Sequence, residues 1–152
     1  METLHLSDPS GHAAGNRFVV LRHDVGPCFD RTKETHLDWM FATGEALATW
    51  STKWITDLEN SFTTSCQKLA DHRLIYLDRE GDLGEGRGSV HRMIAGEYMQ
   101  VTSALAEVTF KAKLCWQTDC GVNRGLLEIV QRWEEKVPES EPSLELHLSI
   151  AR

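Results

Sequence analysis

A histidine and an aspartate two positions apart form the most informative chemical pattern in the sequence. His36 and Asp38 lie in the run HLDWMFA, where they alternate with large apolar residues. Residues two apart on a β-strand project from the same face, so this pattern places an imidazole beside a carboxylate. The pair could bind one divalent ion, and its donor types suit manganese, iron or zinc better than calcium or magnesium. The alternative is an ordinary polar strand face.

His23 is the third candidate ligand. It ends the run RFVVLRH, whose β-branched and apolar residues favour a strand before the glycine-proline pair that follows. If this strand pairs with the next one, the His23 ring can reach the same point as His36 and Asp38. Three protein ligands leave open positions for water or substrate, which a catalytic metal requires. The alternative is that the His-Asp dipeptide at this position occurs by chance.

A histidine and a tyrosine farther along the chain could donate hydrogen bonds to a phosphate. His72 and Tyr76 lie in DHRLIY, and donors of this kind stabilise developing negative charge. The segment EGDLGEGRGSV adds backbone N–H groups and Arg87, and its glycine density indicates backbone at positive φ or close to a ligand. It lacks the GK[ST] of a P-loop and the strand-to-helix context of a dinucleotide fingerprint. The alternative for His72 and Tyr76 is a structural role.

Short strands are the elements that must position these residues. Alternating or β-branched runs predict strands over residues 17–23, 36–42, 46–52, 73–78, 89–94, 97–103, 105–116 and 143–151. Thr43-Gly44-Glu45 predicts the turn of a hairpin, and Ala95-Gly96 predicts a second tight turn. Several short strands at regular spacing predict a mainly β fold, a small antiparallel β-barrel with one or two short helices.

Two segments have patterns of a different kind. Residues 57–68 are polar and irregular, which predicts a loop containing at most one helical turn. Residues 125–137, GLLEIVQRWEEKV, place their large apolar side chains at helical spacing opposite charged positions. This spacing favours an amphipathic helix over a strand, ended by Pro138 and Pro142.

Composition predicts one globular domain, residues 17–152, after a flexible N-terminal tail over 1–16 in which small and polar residues show no apolar period. The sequence shows neither a spanning apolar stretch nor a signal peptide, which predicts a cytoplasmic protein without a membrane partner. The net charge of -7 argues against holding nucleic acid by bulk electrostatics. An enzyme that grips one phosphate through a few local donors remains compatible with that charge.

Five motifs follow one another over roughly residues 17–100: RFVVLRHD, HLDWMF, ALATWS, DHRLIY and LDREGDLGEGRGSVHRMIAGEY. The order and the local sequence of these motifs resemble those of the 3′-phosphoesterase domain of bacterial DNA ligase D. The chain resembles a short, stand-alone relative of that domain. The resemblance implies a compact β-barrel that trims a 3′-terminal ribonucleotide and 3′-phosphate from DNA ends during end joining. It also implies transient binding of nucleic-acid 3′ ends, with end-joining repair proteins as further partners.

The resemblance also assigns roles to individual residues and implies Mn²⁺, or another divalent transition metal, as cofactor. The residues that match the metal ligands of the family are His23, His36 and Asp38. The residues that match its catalytic and phosphate-contacting positions are His72 and Tyr76. Arg87 of the glycine-rich segment and Lys68, which aligns with a family arginine, complete the candidate phosphate-binding set.

Two departures from the family pattern leave the activity open. The H-x-D-x-R motif of the family ends here in Met40 instead of the arginine that grips phosphate, and the connection between His23 and His36 is longer. Losing one transition-state donor costs about 100- to 1,000-fold in rate, although Arg87 or Lys68 could substitute. The sequence thus supports a metal-dependent 3′-phosphoesterase, an impaired relative that binds a nucleic-acid end, nucleotide or protein, or a β-domain whose metal-type residues are accidental.

Overall fold

A computed structural model describes residues 16–133 and 143–151 and shows a closed antiparallel β-barrel. The strands are β1 Arg17–Val25, β2 His36–Thr43, β3 Ala46–Lys53, β4 Phe62–Arg73, β5 Gly81–Asp82, β6 Gly88–Gln100, β7 Val108–Thr118, β8 Gly121–Arg132 and β9 Ser143–Ile150. Eight of them follow the order β1-β2-β3-β4-β9-β8-β7-β6, and pairing of β1 with β6 closes the barrel. The two-residue strand β5 pairs antiparallel with β6. The predicted small antiparallel barrel is confirmed.

The barrel interior is filled by the apolar face of each strand. Side chains alternate between the two faces of a strand, so every second residue points inward. On β2 the inward residues are Leu37, Trp39 and Phe41, as the alternation in the sequence predicts. The other fully packed interior residues are Phe18, Val20, Trp50, Ile94, Tyr98, Phe110, Ala112, Leu114, Trp116, Leu127, Ile129, Leu146 and Leu148. The barrel therefore encloses a packed hydrophobic core.

A second, smaller core lies on the outer face of β1 and β2. Its members are Val19, Leu21, Met40, Ala42, Leu47, Leu77, Leu83 and Val90. Leu77 belongs to a short 3₁₀ helix, Leu74–Leu77, and Leu83 belongs to the glycine-rich segment that follows it. These two segments cover the outside of the barrel, so β1 and β2 are buried on both faces.

The amphipathic helix predicted over 125–137 is wrong for the residues that the structure describes. Strand β8 runs through Gly121–Arg132, pairing with β7 on one side and β9 on the other. Leu127 and Ile129 point into the barrel, while Leu126 and Glu128 alternate outward. A dense apolar run fits both a helical and a two-residue period, and hydrogen bonding to two neighbours decides for the strand. Residues 134–142, including the predicted stops at Pro138 and Pro142, lie outside the described residues.

Three other local predictions differ from the structure. The loop predicted over 57–68 ends early, because the long strand β4 begins at Phe62. The strand predicted over 73–78 is wrong for residues 74–77, which form the 3₁₀ helix. Ala95-Gly96 is no turn, because β6 continues from Gly88 to Gln100. A Cβ atom at Gly96 would collide with the Cys115 carbonyl group, so this glycine permits close pairing of β6 with β7.

The remaining local predictions concern the turns, the helices and the tail. The hairpin between β2 and β3 is confirmed, with Gly44 at a φ of 81°. No α-helix occurs over residues 16–133 and 143–151, and the short 3₁₀ helix is the helical element found there. No helix in that part of the chain has the length and apolar character needed to cross a membrane. The predicted flexible tail, residues 1–16, lies outside the described residues except for Asn16.

Candidate metal centre

The three predicted metal ligands converge on the outer face of the barrel. His23 lies directly opposite His36 in the antiparallel pairing of β1 with β2, and Asp38 follows on the same face. One ligand atom from each of the three lies within 4.8 Å of the other two. Their relative exposures are 4%, 5% and 4%, so all three are buried. The expected strand pairing is confirmed, and the buried His23/His36/Asp38 group could hold a metal ion.

Backbone carbonyl groups fix the protonation pattern of both histidines. Nε2 of His23 lies 2.9 Å from the Arg87 carbonyl oxygen, and Nδ1 of His36 lies 3.0 Å from the Glu34 carbonyl oxygen. A carbonyl can only accept, so these nitrogens carry the protons and the other ring nitrogen of each histidine keeps its lone pair. Hydrogen bonds of this kind orient the imidazoles of metal sites.

Burial keeps His23 in the form that binds metal. Desolvation is the largest cause that lowers the pKa of His23 below its ordinary value. The hydrogen bond to the Arg87 carbonyl and the nearby Asp38 act in the opposite direction but do not cancel it. A lowered pKa means that the neutral imidazole predominates at pH 7, and only the neutral form has a lone pair for a metal.

Asp38 supplies the strongest indication that a cation belongs here. Its Oδ1 atom is buried and has no hydrogen-bond partner. The same oxygen lies 3.5 Å from Nε2 of His36. A buried carboxylate oxygen without a hydrogen bond is destabilising, because the desolvation of the charge is not fully compensated. Two imidazole lone pairs and an unsatisfied carboxylate are the donor set that a divalent transition metal uses, so these residues fit such an ion.

A cavity of about 400 Å³ connects this group with the predicted phosphate-binding residues. Its lining comprises His23, Phe29, Arg31, Asp38, Met40, Leu69, Ala70, His72, Tyr76, Leu83, Arg87 and Val90. The structure therefore brings His72, Tyr76 and Arg87 to the same cavity as two of the metal-ligand candidates. Their catalytic and phosphate-binding roles stay predictions.

His72 and Tyr76 form a pair at the wall of this cavity. Their ring centres lie 5.7 Å apart in an edge-to-face arrangement, and both side chains are partly exposed. Nδ1 of His72 donates to the Ala70 carbonyl oxygen over 2.9 Å. This hydrogen bond leaves Nε2 of His72 as the ring nitrogen available to a ligand.

Arg87 and Lys68 differ from the sequence expectation in what their cationic groups contact. The Arg87 guanidinium donates to the carbonyl oxygens of Leu83 and Gly84, 2.6 and 3.4 Å away, so it stabilises its own loop. Lys68 pairs with Trp50 across β3 and β4, on the side of the sheet that faces the barrel interior. Its Nζ atom lies 5.2 Å from the Trp50 ring centre, and Lys68 does not line the cavity.

Arg31 is the residue at this site that the sequence patterns do not identify. One of its guanidinium nitrogens lies 2.8 Å from Nε2 of His36 and 3.9 Å from Oδ1 of Asp38. The guanidinium also stacks over the Phe29 ring, 5.4 Å from its centre. The one available signal is position, since this arginine lies in the unusually long connection between two predicted ligands.

Close contact between two glycine-containing loops holds the site together. The Cys28 amide donates to the Gly86 carbonyl oxygen over 2.7 Å, which ties the connection after β1 to the glycine-rich segment. A Cβ atom on Gly26 would collide with the Gly86 backbone, and one on Gly88 would collide with the Asp24 carbonyl group. Only glycine permits this approach, which places the Arg87 carbonyl against His23.

Comparison with known proteins leaves the family open. No family model matches the chain, and no curated protein matches it significantly. What is established is an eight-stranded antiparallel β-barrel with a buried His-His-Asp group on its outer face. The likeness to the ligase D phosphoesterase domain therefore depends on the sequence motifs alone.

Proposed function

We propose that the chain is a metal-dependent phosphoesterase that processes 3′ ends of DNA, removing a 3′-phosphate or a 3′-ribonucleotide during repair. The observation that carries this proposal is the unpartnered, buried Oδ1 of Asp38 beside two histidines, in one cavity with His72 and Tyr76. Phosphoryl transfer requires a group that binds a cation and side chains that donate hydrogen bonds to the phosphate, both in one cavity.

The side chains of the cavity divide the work between binding and proton transfer. A divalent ion such as Mn²⁺, when bound by His23, His36 and Asp38, would polarise a phosphoryl oxygen. As water attacks the phosphorus atom and the P–O bond breaks, doubly protonated His72 can give its Nε2 proton to the departing oxygen, while Nδ1–H stays bonded to the Ala70 carbonyl. Tyr76, on the same wall, can donate its hydroxyl proton in a hydrogen bond to a phosphate oxygen.

A polar groove next to the cavity offers room for the rest of a nucleic-acid end. The groove has a volume of about 500 Å³ and meets the cavity at Arg31. Hydroxyl, amide and ammonium groups line most of it, and Glu34 adds one carboxylate; the uncharged and cationic groups come from Thr32, Thr35, Ser51, Thr52, Lys53, Ser65 and Gln67. Such groups commonly contact the sugar-phosphate backbone without reading the bases. Local contacts of this kind are compatible with the net charge of -7.

A binding module without turnover is the second candidate, and Met40 is the observation that favours it. Met40 lines the cavity and is only 1% exposed, at the position where the resembling family has an arginine. A thioether cannot make the bidentate, charge-assisted contact with phosphate that a guanidinium makes. Such a protein would still bind a nucleic-acid end, a nucleotide or a protein partner.

An end-processing assay tests the proposal. We expect the protein to shorten DNA primers that end in a 3′-phosphate or a 3′-ribonucleotide when Mn²⁺ is present, and a chelator to stop the reaction. His72→Gln should lower the rate by about 100-fold or more. His147→Gln, a matched change on β9 where the imidazole pairs with Glu145 instead, should leave the rate unchanged. Folded, manganese-supplied protein without turnover would contradict the enzyme and favour the binding module.

Met40→Arg separates the two candidates further. An active enzyme already has a cation in this role, so the added arginine should change the rate by only a few-fold. An impaired relative should gain about 100-fold, the value of one transition-state donor. Because Met40 is buried in the smaller core, a melting curve must first show that the variant folds.

A further inference from the structure

The Arg31 guanidinium contacts two of the candidate metal ligands, His36 and Asp38, so its positive charge lies close to where a metal ion would bind. It donates to the lone pair of His36 Nε2 over 2.8 Å. It also faces the unpartnered Oδ1 of Asp38 at 3.9 Å, which is too long for a hydrogen bond. The charge of the arginine thus partly compensates a carboxylate whose side chain is only 6% exposed.

A metal ion and this guanidinium cannot use the same lone pair. Bonds from nitrogen to a transition metal measure about 2.0–2.1 Å, and each imidazole nitrogen has one lone pair. Two cations at such short separation also repel each other strongly inside a protein. Metal binding through His36 Nε2 therefore requires Arg31 to leave that nitrogen.

The surroundings of Arg31 give it a second place to bind. Its side chain is 31% exposed, lies in the connection between β1 and β2, and borders both the cavity and the polar groove. The cations predicted to grip phosphate have other contacts: Arg87 is held by the carbonyl groups of its loop, and Lys68 lies on the opposite side of the sheet. Met40 contributes no charge. Arg31 is the cation of the cavity that metal binding would release.

We infer that Arg31 is an exchangeable cation: it donates to His36 and partly compensates the charge of Asp38 in the metal-free protein, and it moves to bind the substrate oxyanion once a metal occupies the site. This inference rests on the proposed function and supplies the phosphate-binding arginine that position 40 lacks. Because one group serves both states, Arg31 weakens metal binding alone and strengthens anion binding to the metal-loaded protein. A residue with a purely structural role would support both kinds of binding.

Binding measurements on Arg31→Met test the exchange. Manganese binding is followed by calorimetry, and sulfate serves as the oxyanion because it does not precipitate manganese. We expect the variant to bind Mn²⁺ about 10-fold more tightly and sulfate on the manganese-loaded protein about 10-fold more weakly, within the usual range of coupling between sites. Lys33→Met removes the same charge from the same connection, where Lys33 contacts backbone carbonyls of Pro27 and Phe29. It should change each affinity by less than about threefold, since exposed charges are screened.

The outcomes separate this inference from the proposed function. Weaker or unchanged manganese binding by Arg31→Met, with wild-type protein binding the metal normally, would overturn the exchange and leave the metal site intact. No manganese binding by either protein would overturn the metal-dependent function itself. If Arg31→Met lowers the melting temperature, Arg31→Gln removes the charge with less change in polarity and must give the same pair of opposite shifts.

Discussion

The outer face of the barrel carries charged side chains in two regions with opposite surroundings. On β7 and β8, Lys111 and Glu128 stand opposite each other, and their side chains are 27% and 28% exposed. On β1 and β2, His23 and Asp38 occupy the same side of the sheet but are buried beneath two loops. The same strand parity therefore produces a solvated ion pair in one region and a desolvated ligand group in the other.

The two regions differ in the loops that lie over the strands and not in the strands themselves. The Lys111–Glu128 pair, 3.7 Å apart, is near water, where such a pair contributes about 0–1 kcal/mol. Asp38 has lost its contact with water and retains an unsatisfied oxygen, which is destabilising unless a cation compensates it. Covering a polar strand face thus creates binding chemistry at the expense of stability, a balance common at functional sites. Four experiments sharpen this comparison.

The largest effect is expected from Asp38→Asn, compared with Glu128→Gln on the open face. An amide lacks the negative charge of the carboxylate ligand, so we expect Mn²⁺ affinity to fall by about 100-fold or more, beyond what loss of an outer hydrogen-bond partner costs. Glu128→Gln should change it by less than about twofold because of screening. Both are measured by manganese titration. Similar losses in the two variants would mean that overall charge, and not this site, governs binding.

The next largest effect is expected when the close contact between the loops over His23 and Asp38 is disrupted. Gly88→Ala, compared with Gly81→Ala, tests this contact. Both glycines have nearly the same φ, 101° and 100°, so both substitutions introduce similar backbone strain. The new Cβ has nothing within 4 Å at Gly81 but collides with the Asp24 and Gly26 backbone at Gly88. We expect Gly88→Ala to lose about 1–3 kcal/mol more in the free energy of unfolding, the usual cost of overpacking.

Urea denaturation measures these two stabilities. Manganese affinity should also fall in Gly88→Ala alone, because the Arg87 carbonyl group that orients His23 belongs to the displaced loop. Equal stabilities of the two alanine variants would show that the loops do not depend on their close contact.

A smaller effect of opposite sign is expected in the metal-free protein. Asp38→Asn should raise the free energy of unfolding by about 1 kcal/mol, because it removes a buried charge that lacks a full partner. Excess Mn²⁺ should reverse the order, since only the wild-type protein gains binding free energy. Thermal melts with a chelator and with manganese measure both. A less stable metal-free variant would mean that Arg31 already compensates the carboxylate fully.

The smallest effect is expected on the open face. Lys111→Met removes one partner of the partly exposed ion pair and should change the free energy of unfolding by less than about 0.5 kcal/mol. The same urea experiment measures it. A loss above about 1 kcal/mol would indicate that this face is more strongly desolvated than its exposure suggests.

The sequence was sufficient to predict the barrel class and to select His23, His36 and Asp38, because alternation within each strand marks the strands and the shared face of His36 and Asp38. His23 joins that pair through the pairing of β1 with β2, which the sequence analysis assumed. The two-residue period of β2 separates Leu37 and Trp39 from His36 and Asp38 without knowledge of the rest of the chain. The β8 prediction failed because its dense apolar run fits two periods equally well. Pairing with strands on both sides, which involves distant segments, decided between them.

The tertiary structure alone decided which residues share the cavity. Leu69 pairs with Thr49 and His72 pairs with Leu47 across a shift in the β3–β4 register, and both Leu69 and His72 line the cavity. Lys68 consequently points to the opposite side, although its spacing in the sequence is compatible with a place beside His72. Arg31 reaches His36 because its loop folds back over β2. Local periodicity fixes relative parity within a strand, whereas register shifts and loop contacts depend on packing between segments far apart in the chain.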